Sequence, residues 1–233
     1  MTARESALRT ARRGQAITAL ALAGLAGVYV RALAFTPVER LQGPAQKIYY
    51  VHVPVAIYAL AAFAVTGLLS IAYLWLRDER IDRAAEASAE VGVVFSVVML
   101  ISGPLWGKPV WGTWWAWDAR LTSTLFIFLL FVGYLIMRGA IVEVDQRARF
   151  SAVLGILGLA LVPFIHLTVY LFRTIHPQPI LFKPSAPSLP GVMLTTILLS
   201  LGVFTLLYVG FTTQRYAMAS LRALREEELL SDA

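Results

Sequence analysis

Trp111, Trp114, Trp115 and Trp117 fall within seven positions of the stretch VWGTWWAWDARLTS, and Trp106 stands five residues upstream. Five of the chain's six tryptophans therefore share one short window. Three histidines are the other side chains with evident ligand chemistry: His52 in KIYYVHVPVAIY, His166 in LVPFIHLTVYLF and His176 in FRTIHPQPILF. There is no cysteine, which removes disulfides, thiolate metal sites and cysteine nucleophiles. Indoles offer wide, flat apolar area at small entropic cost, and their N–H reaches polar groups such as carboxylates. Imidazole is the commonest metal ligand. A planar apolar ligand with a metal at its centre uses both.

The elements that must position these residues lie in a membrane. The 233 residues are 58% apolar and only 15% charged, against about a quarter charged in an average soluble domain. The charge sits in short clusters between apolar runs long enough to cross hydrocarbon. Six such runs are read: Gln15–Phe35, Val53–Leu76, Val91–Trp106, Leu121–Met137, Ser151–Leu171 and Gly191–Gln214. The expected fold is an all-α integral membrane protein, one six-span domain over 1–233 with a tryptophan-rich external segment at 107–120. The first run follows Arg4, Arg9, Arg12 and Arg13, but it is longer than a signal-peptide core and has no clear cleavage site, so it reads as a retained span.

Orientation follows from Lys and Arg. The N-terminus, RDERIDR, MRGAIVEVDQRAR and the C-terminal tail together hold 13 basic residues. The opposite side holds seven: Arg31, Arg40, Lys47, Lys108, Arg120, Arg173 and Lys183. The positive-inside rule puts the richer side, with both termini, in the cytoplasm. The tryptophan segment and the loops carrying His52 and His176 then meet on the external face. The tail ASLRALREEELL reads as a short amphipathic helix.

Pro54 is expected to open the second span and leave His52 at its mouth. Pro177 and four further prolines restrict the loop bearing His176. A lone loop histidine ordinarily bonds water or headgroups, but two facing five tryptophans suit a haem iron held from both sides. His166 lies inside the fifth span, either bonded to a neighbouring helix or functional. Trp111, Trp114 and Trp115 have helical spacing for one face, with Trp117 projecting elsewhere. An interfacial aromatic belt is the plainer explanation, yet a belt spreads its tryptophans over many helix ends. Asp118 can cap the fourth span. Arg120 and Lys108 suit haem propionates or lipid phosphates. Gly103, Pro104, Gly107, Pro109 and Gly112 predict irregular backbone leading into the segment.

WGTWWAWDARLTS resembles the tryptophan-rich signature of membrane haem-handling proteins of cytochrome c maturation. With six spans, VHVP before the second and TIHPQP before the sixth, the chain resembles the CcmC family over nearly its whole length. The resemblance implies a carrier rather than an enzyme, in the bacterial cytoplasmic (inner) membrane. It implies haem b held without a covalent bond by His52 and His176 on the periplasmic face, with Trp111, Trp114, Trp115, Trp117 and Asp118 forming the signature around it. The haem chaperone CcmE, the transporter pair CcmA and CcmB, and the small membrane protein CcmD are the implied partners, and any ATP is used by them. A small-molecule transporter would need paired charges or broken helices at mid-membrane. An electron-transfer subunit would need histidine pairs within spans. Neither pattern is evident, and no nucleophile–base–acid set or phosphate loop points to a hydrolase or to ATP use.

Overall fold

A chain surrounded by hydrocarbon must bond every backbone N–H and C=O internally, so apolar runs become helices. The computed structural model describes residues 2–178, 180–181, 185 and 189–231. Lys183, counted above among the external charges, lies outside the described residues. Among the described residues there are six long helices and no strand: α1 (Ala3–Val30, continued by a wider turn over Arg31–Phe35), α2 (Tyr49–Leu76, entered through a 3₁₀ turn at Pro44–Ile48), α3 (Glu79–Trp111), α4 (Ala119–Ala140), α5 (Val144–Leu171) and α6 (Gly191–Ser231). Each carries a stretch apolar enough to cross a membrane. The protein is an all-α membrane bundle.

Side chains set several of the helix starts. Thr2 and Glu5 form a reciprocal cap on α1, and Asp78, Asp118 and Glu143 cap α3, α4 and α5. The helices overrun the apolar segments. The 33 residues of α3 and 41 of α6 extend about 50 and 60 Å at 1.5 Å per residue, against about 30 Å of hydrocarbon.

Three sequence expectations are corrected, and residues 79–90, which no expectation assigned to an element, are the first turns of α3. The C-terminal tail continues α6 without a break up to Ser231. The Gly–Pro stretch 103–109 is helical rather than irregular, and α3 ends only at Gly112, in the left-handed region at φ 79°. A proline removes one helical bond, but leaving the helix at membrane depth would strand several. Pro54 does not open α2 but is its sixth residue, which puts His52 inside the helix. The Tyr50 carbonyl that Pro54 leaves without its helical donor accepts from Ser200 Oγ on α6.

Packing relies on glycine where helices approach closely. A Cβ on Gly14 of α1 would stand 2.9 Å from the Gln214 backbone nitrogen of α6, and one on Gly67 of α2 would stand 2.7 Å from the Gly155 carbonyl of α5. Phe63 of α2 stacks on Phe131 of α4 at 3.9 Å between ring centres. At the end carrying both termini, Arg138 of α4 is buried against Asp82 and Glu86 of α3. Arg222 and Arg215 of α6 pair with Glu86 and Glu90. α3, α4 and α6 are thus tied at that end, and the same elements line a cavity at the other.

Candidate functional site

The cavity measures about 380 Å³ and is lined by parts of every helix from α2 to α6 and by the loops at the end away from the termini. Ligand pockets of 300–1,000 Å³ are typical. Its walls include His52, His166 and His176, the indoles of Trp106, Trp111, Trp114 and Trp115, and Arg120. The three sequence motifs therefore converge on one space. Trp117, 78% exposed, and Asp118 are not among the lining residues.

His52 is the fourth residue of α2, beside α3. Its Nδ1 is 3.0 Å from Ser102 Oγ, whose own proton is directed to the Val98 carbonyl at 2.7 Å. Ser102 can then only accept, so His52 carries its proton on Nδ1 and keeps the Nε2 lone pair free. The ring lies over Gly103, where a Cβ would come within 3.2 Å of Cε1. A side chain there would crowd the imidazole, which would have to give by a few tenths of an ångström. Trp106 meets the same ring edge-on at 5.6 Å and donates its indole N–H to Gln42 Oε1 at 3.0 Å.

His176 reaches the cavity from the loop after α5. Its Nδ1 is 2.9 Å from the Pro177 carbonyl, which can only accept, so the proton again sits on Nδ1 and Nε2 has no partner among the described residues. Surrounding protein atoms and, after them, the Arg120 guanidinium push the ring's pKa down to about 4. At neutral pH the ring is uncharged, the form that binds metals, and protons compete for it only as the pH approaches 4. Each imidazole is thus fixed through one nitrogen with the other available, the arrangement that orients metal-ligating histidines.

The tryptophan segment is not the single helical face that its spacing predicts. Trp111 closes α3, while Trp114, Trp115 and Trp117 lie on non-helical chain between Gly112 and Asp118. Trp106 and Trp111 face each other at 6.1 Å, and Trp115 meets Trp117 edge-on at 5.7 Å. Lys108 donates to the Gly112 carbonyl at 2.9 Å and is not a lining residue. Arg120 does line the cavity, with one guanidinium N–H on the Ile165 carbonyl at 3.0 Å. Among the described residues, three buried polar atoms of lining residues have no hydrogen-bond partner: Trp115 Nε1, Gln46 Oε1 and the Tyr49 hydroxyl. Buried polar groups left unpaired are costly, so a ligand with polar edges fits this space better than a purely apolar one.

Asp118 caps α4, as expected, through Oδ1 and the Leu121 N–H at 2.8 Å. Its other oxygen accepts from Thr174 Oγ at 2.6 Å and from the Ile175 N–H at 3.1 Å. Sequence reasoning missed Thr174 and Ser102. Ser102 sits one helical turn before Trp106, a spacing that would have put it on the same face. Thr174, two residues before His176, has the spacing of a local hydroxyl-to-backbone turn.

Six spanning helices, five of which line a cavity walled by indoles and imidazoles, define a multi-pass membrane protein with a candidate ligand site at one end of the bundle. The family model for heme exporter protein C, CcmC, matches residues 3–230, and the chain belongs to that family. It is similar to heme exporter protein C of Haemophilus influenzae, 34% identical over 190 residues that cover 82% of this chain and 77% of the relative. The corresponding protein of Bradyrhizobium diazoefficiens is 37% identical over 183 residues, 78% of this chain and 69% of the relative. That of Rhodobacter capsulatus is 32% identical over 202 residues, 84% of each.

Proposed function

We propose that this protein handles haem during cytochrome c maturation as a carrier. It holds haem b as cargo between His52 and His176 on the periplasmic face and passes it to the chaperone CcmE. What carries the reading is the pair of cavity-lining imidazoles, each with Nδ1–H committed to a neighbour and Nε2 free. Two such nitrogens fill both axial positions of an iron, which suits holding over oxygen chemistry. Purification from haem-replete cells should give a low-spin, bis-histidine absorption spectrum at one haem per chain. A protein that purifies without haem, or with five-coordinate high-spin haem, sinks the reading.

The tryptophans supply the apolar wall. Trp114 is 56% exposed and Trp111 36%, so the wall also presents uncovered indole surface of the kind that anchors protein contacts. Haem held against it is excluded from water on one side and left open to an acceptor on the other. The double replacement of Trp114 and Trp115 by alanine should lower retained haem by roughly tenfold, from about 0.5–1.5 kcal/mol per aromatic contact. Chaperone capture should fall with it, read by co-purification of CcmE. Wild-type haem content and capture in that variant would mean an interfacial belt instead. The ATP-driven transporter pair CcmA and CcmB and the small membrane protein CcmD belong to the same reading as partners.

Both termini are assigned to the cytoplasm, on the 13-to-7 division of basic residues. Reporter fusions after Arg80, Lys108, Arg147 and Lys183 should report inside, outside, inside, outside. An external signal at Arg80 inverts the topology and puts the cavity on the wrong side for periplasmic delivery.

A further inference from the structure

We propose that Thr174 is the positioning residue for His176, held in place by Asp118, and that Asp118 serves the site through this contact rather than by touching the cargo. The proposal rests on the reading of His176 as an iron ligand.

The bonds run in one direction. The backbone N–H of His176 donates to Thr174 Oγ at 3.1 Å, and that hydroxyl donates its single proton to Asp118 Oδ2 at 2.6 Å. The Ile175 N–H donates to the same carboxylate oxygen at 3.1 Å. Bonds to a carboxylate are stronger than neutral ones, and a chain of bonds polarises its members. Both oxygens of Asp118 are thereby used within the protein, the other by the Leu121 N–H at the start of α4. Asp118 is not among the cavity-lining residues, whereas His176 and the tryptophans Trp114 and Trp115 just before Asp118 are.

The consequence is geometric. His176 is pinned at its backbone nitrogen by Thr174 and at its ring by Nδ1–H to the Pro177 carbonyl at 2.9 Å. With both fixed, Nε2 has one position relative to α4 and to the tryptophan wall. The end of the tryptophan motif and the histidine loop, 56 residues apart in sequence, are thus locked as one unit. A ligand on a loop without such a lock would lose ordering entropy on binding iron.

The test compares Thr174→Val, Thr174→Ser, Asp118→Asn and His176→Gly with wild type, each purified from haem-replete membranes. Haem per chain, the low-spin fraction and the response to added imidazole are the readouts. Valine matches threonine in shape but can neither donate to Asp118 nor accept from His176. Thr174→Val should gain a high-spin component that imidazole converts to low spin, and should lose haem roughly tenfold faster, the size set by a hydrogen bond to a charged group. Thr174→Ser keeps the hydroxyl and should match wild type. Should Thr174→Val fail to accumulate, Asp118→Asn decides. Its amide oxygen can serve the cap or the loop but not both, so the same high-spin component is expected. A wild-type spectrum in Thr174→Val or in Asp118→Asn, with His176→Gly losing low-spin haem, overturns the lock and leaves the ligand reading standing. Equal impairment in the valine and serine variants also overturns it. A wild-type spectrum in His176→Gly removes the ligand reading itself.

Discussion

Glycine at His52 or at His176 should leave protein that inserts normally but binds haem at least about a hundredfold more weakly. Loss of groups that merely orient metal ligands costs about 10- to 100-fold, and loss of a ligand costs more. The residual haem should be five-coordinate and high-spin, and added imidazole should return it to low spin. The two sites are not equivalent. His52 sits between α2 and α3 over Gly103, with Ser102 at its Nδ1, so its removal leaves a hole walled by helices and already fitted with a hydroxyl acceptor. His176 sits on a loop, and its ring bonds the carbonyl of the next residue. Imidazole should therefore rescue the His52 variant at lower concentration than the His176 variant. His166→Gly is the control: it lines the same cavity, but the ligand reading leaves its low-spin spectrum intact. Wild-type spectra in both His52→Gly and His176→Gly would place the iron elsewhere, and a loss in His166→Gly would say where.

The six helices were legible because hydrocarbon leaves an apolar run of twenty residues almost no alternative. The same physics defeated the reading of the glycine–proline stretch. In a soluble chain, Gly103, Pro104, Gly107 and Pro109 would end a helix, since water satisfies the freed backbone groups; here α3 continues to Trp111. Half of Asp118's role was legible too. A cap is a local pattern, and the aspartate before a helix announces it. Its second oxygen bonds residues 56 and 57 positions away, and nothing in local sequence marks such a pairing. The convergence of His52, His176 and the tryptophans on one face followed from counting spans. The tautomers, which make each imidazole ready to bind, depended on Ser102 and on the Pro177 carbonyl and became visible only with the side chains in place. The pairing of Arg138 was not legible: counted among the basic residues on the side of the termini, it is a buried group with partners on another helix.

Replacing Arg138 by methionine should be the most damaging single change to the fold. The Arg138 side chain is 5% exposed and forks onto Asp82 at 2.7 and 2.8 Å, with Glu86 at 3.1 Å and the Tyr134 ring 5.7 Å from the guanidinium carbon. Methionine keeps most of the volume, so packing changes little and electrostatics dominate. Asp82, whose side chain is 10% exposed, loses the partner for both oxygens, while Glu86 retains Arg222 at 3.1 Å. Removing one member of a buried pair costs about 3–5 kcal/mol, because the remaining charge stays buried without compensation. The thermal midpoint of detergent-extracted protein should fall accordingly, and less protein should accumulate in the membrane. Arg138→Lys should recover only part of the loss, since an ammonium is a point charge and cannot fork onto two oxygens. Asp82→Asn added to Arg138→Met should recover part as well, by removing the stranded charge. The lesion lies at the end of the bundle opposite the cavity, so the protein that survives should keep a wild-type haem spectrum. A midpoint within the error of wild type for Arg138→Met would mean that water reaches these carboxylates. The clasp would then contribute no more than a surface ion pair, about 0–1 kcal/mol, and the packing of α4 on α5 would hold α4 in place without it.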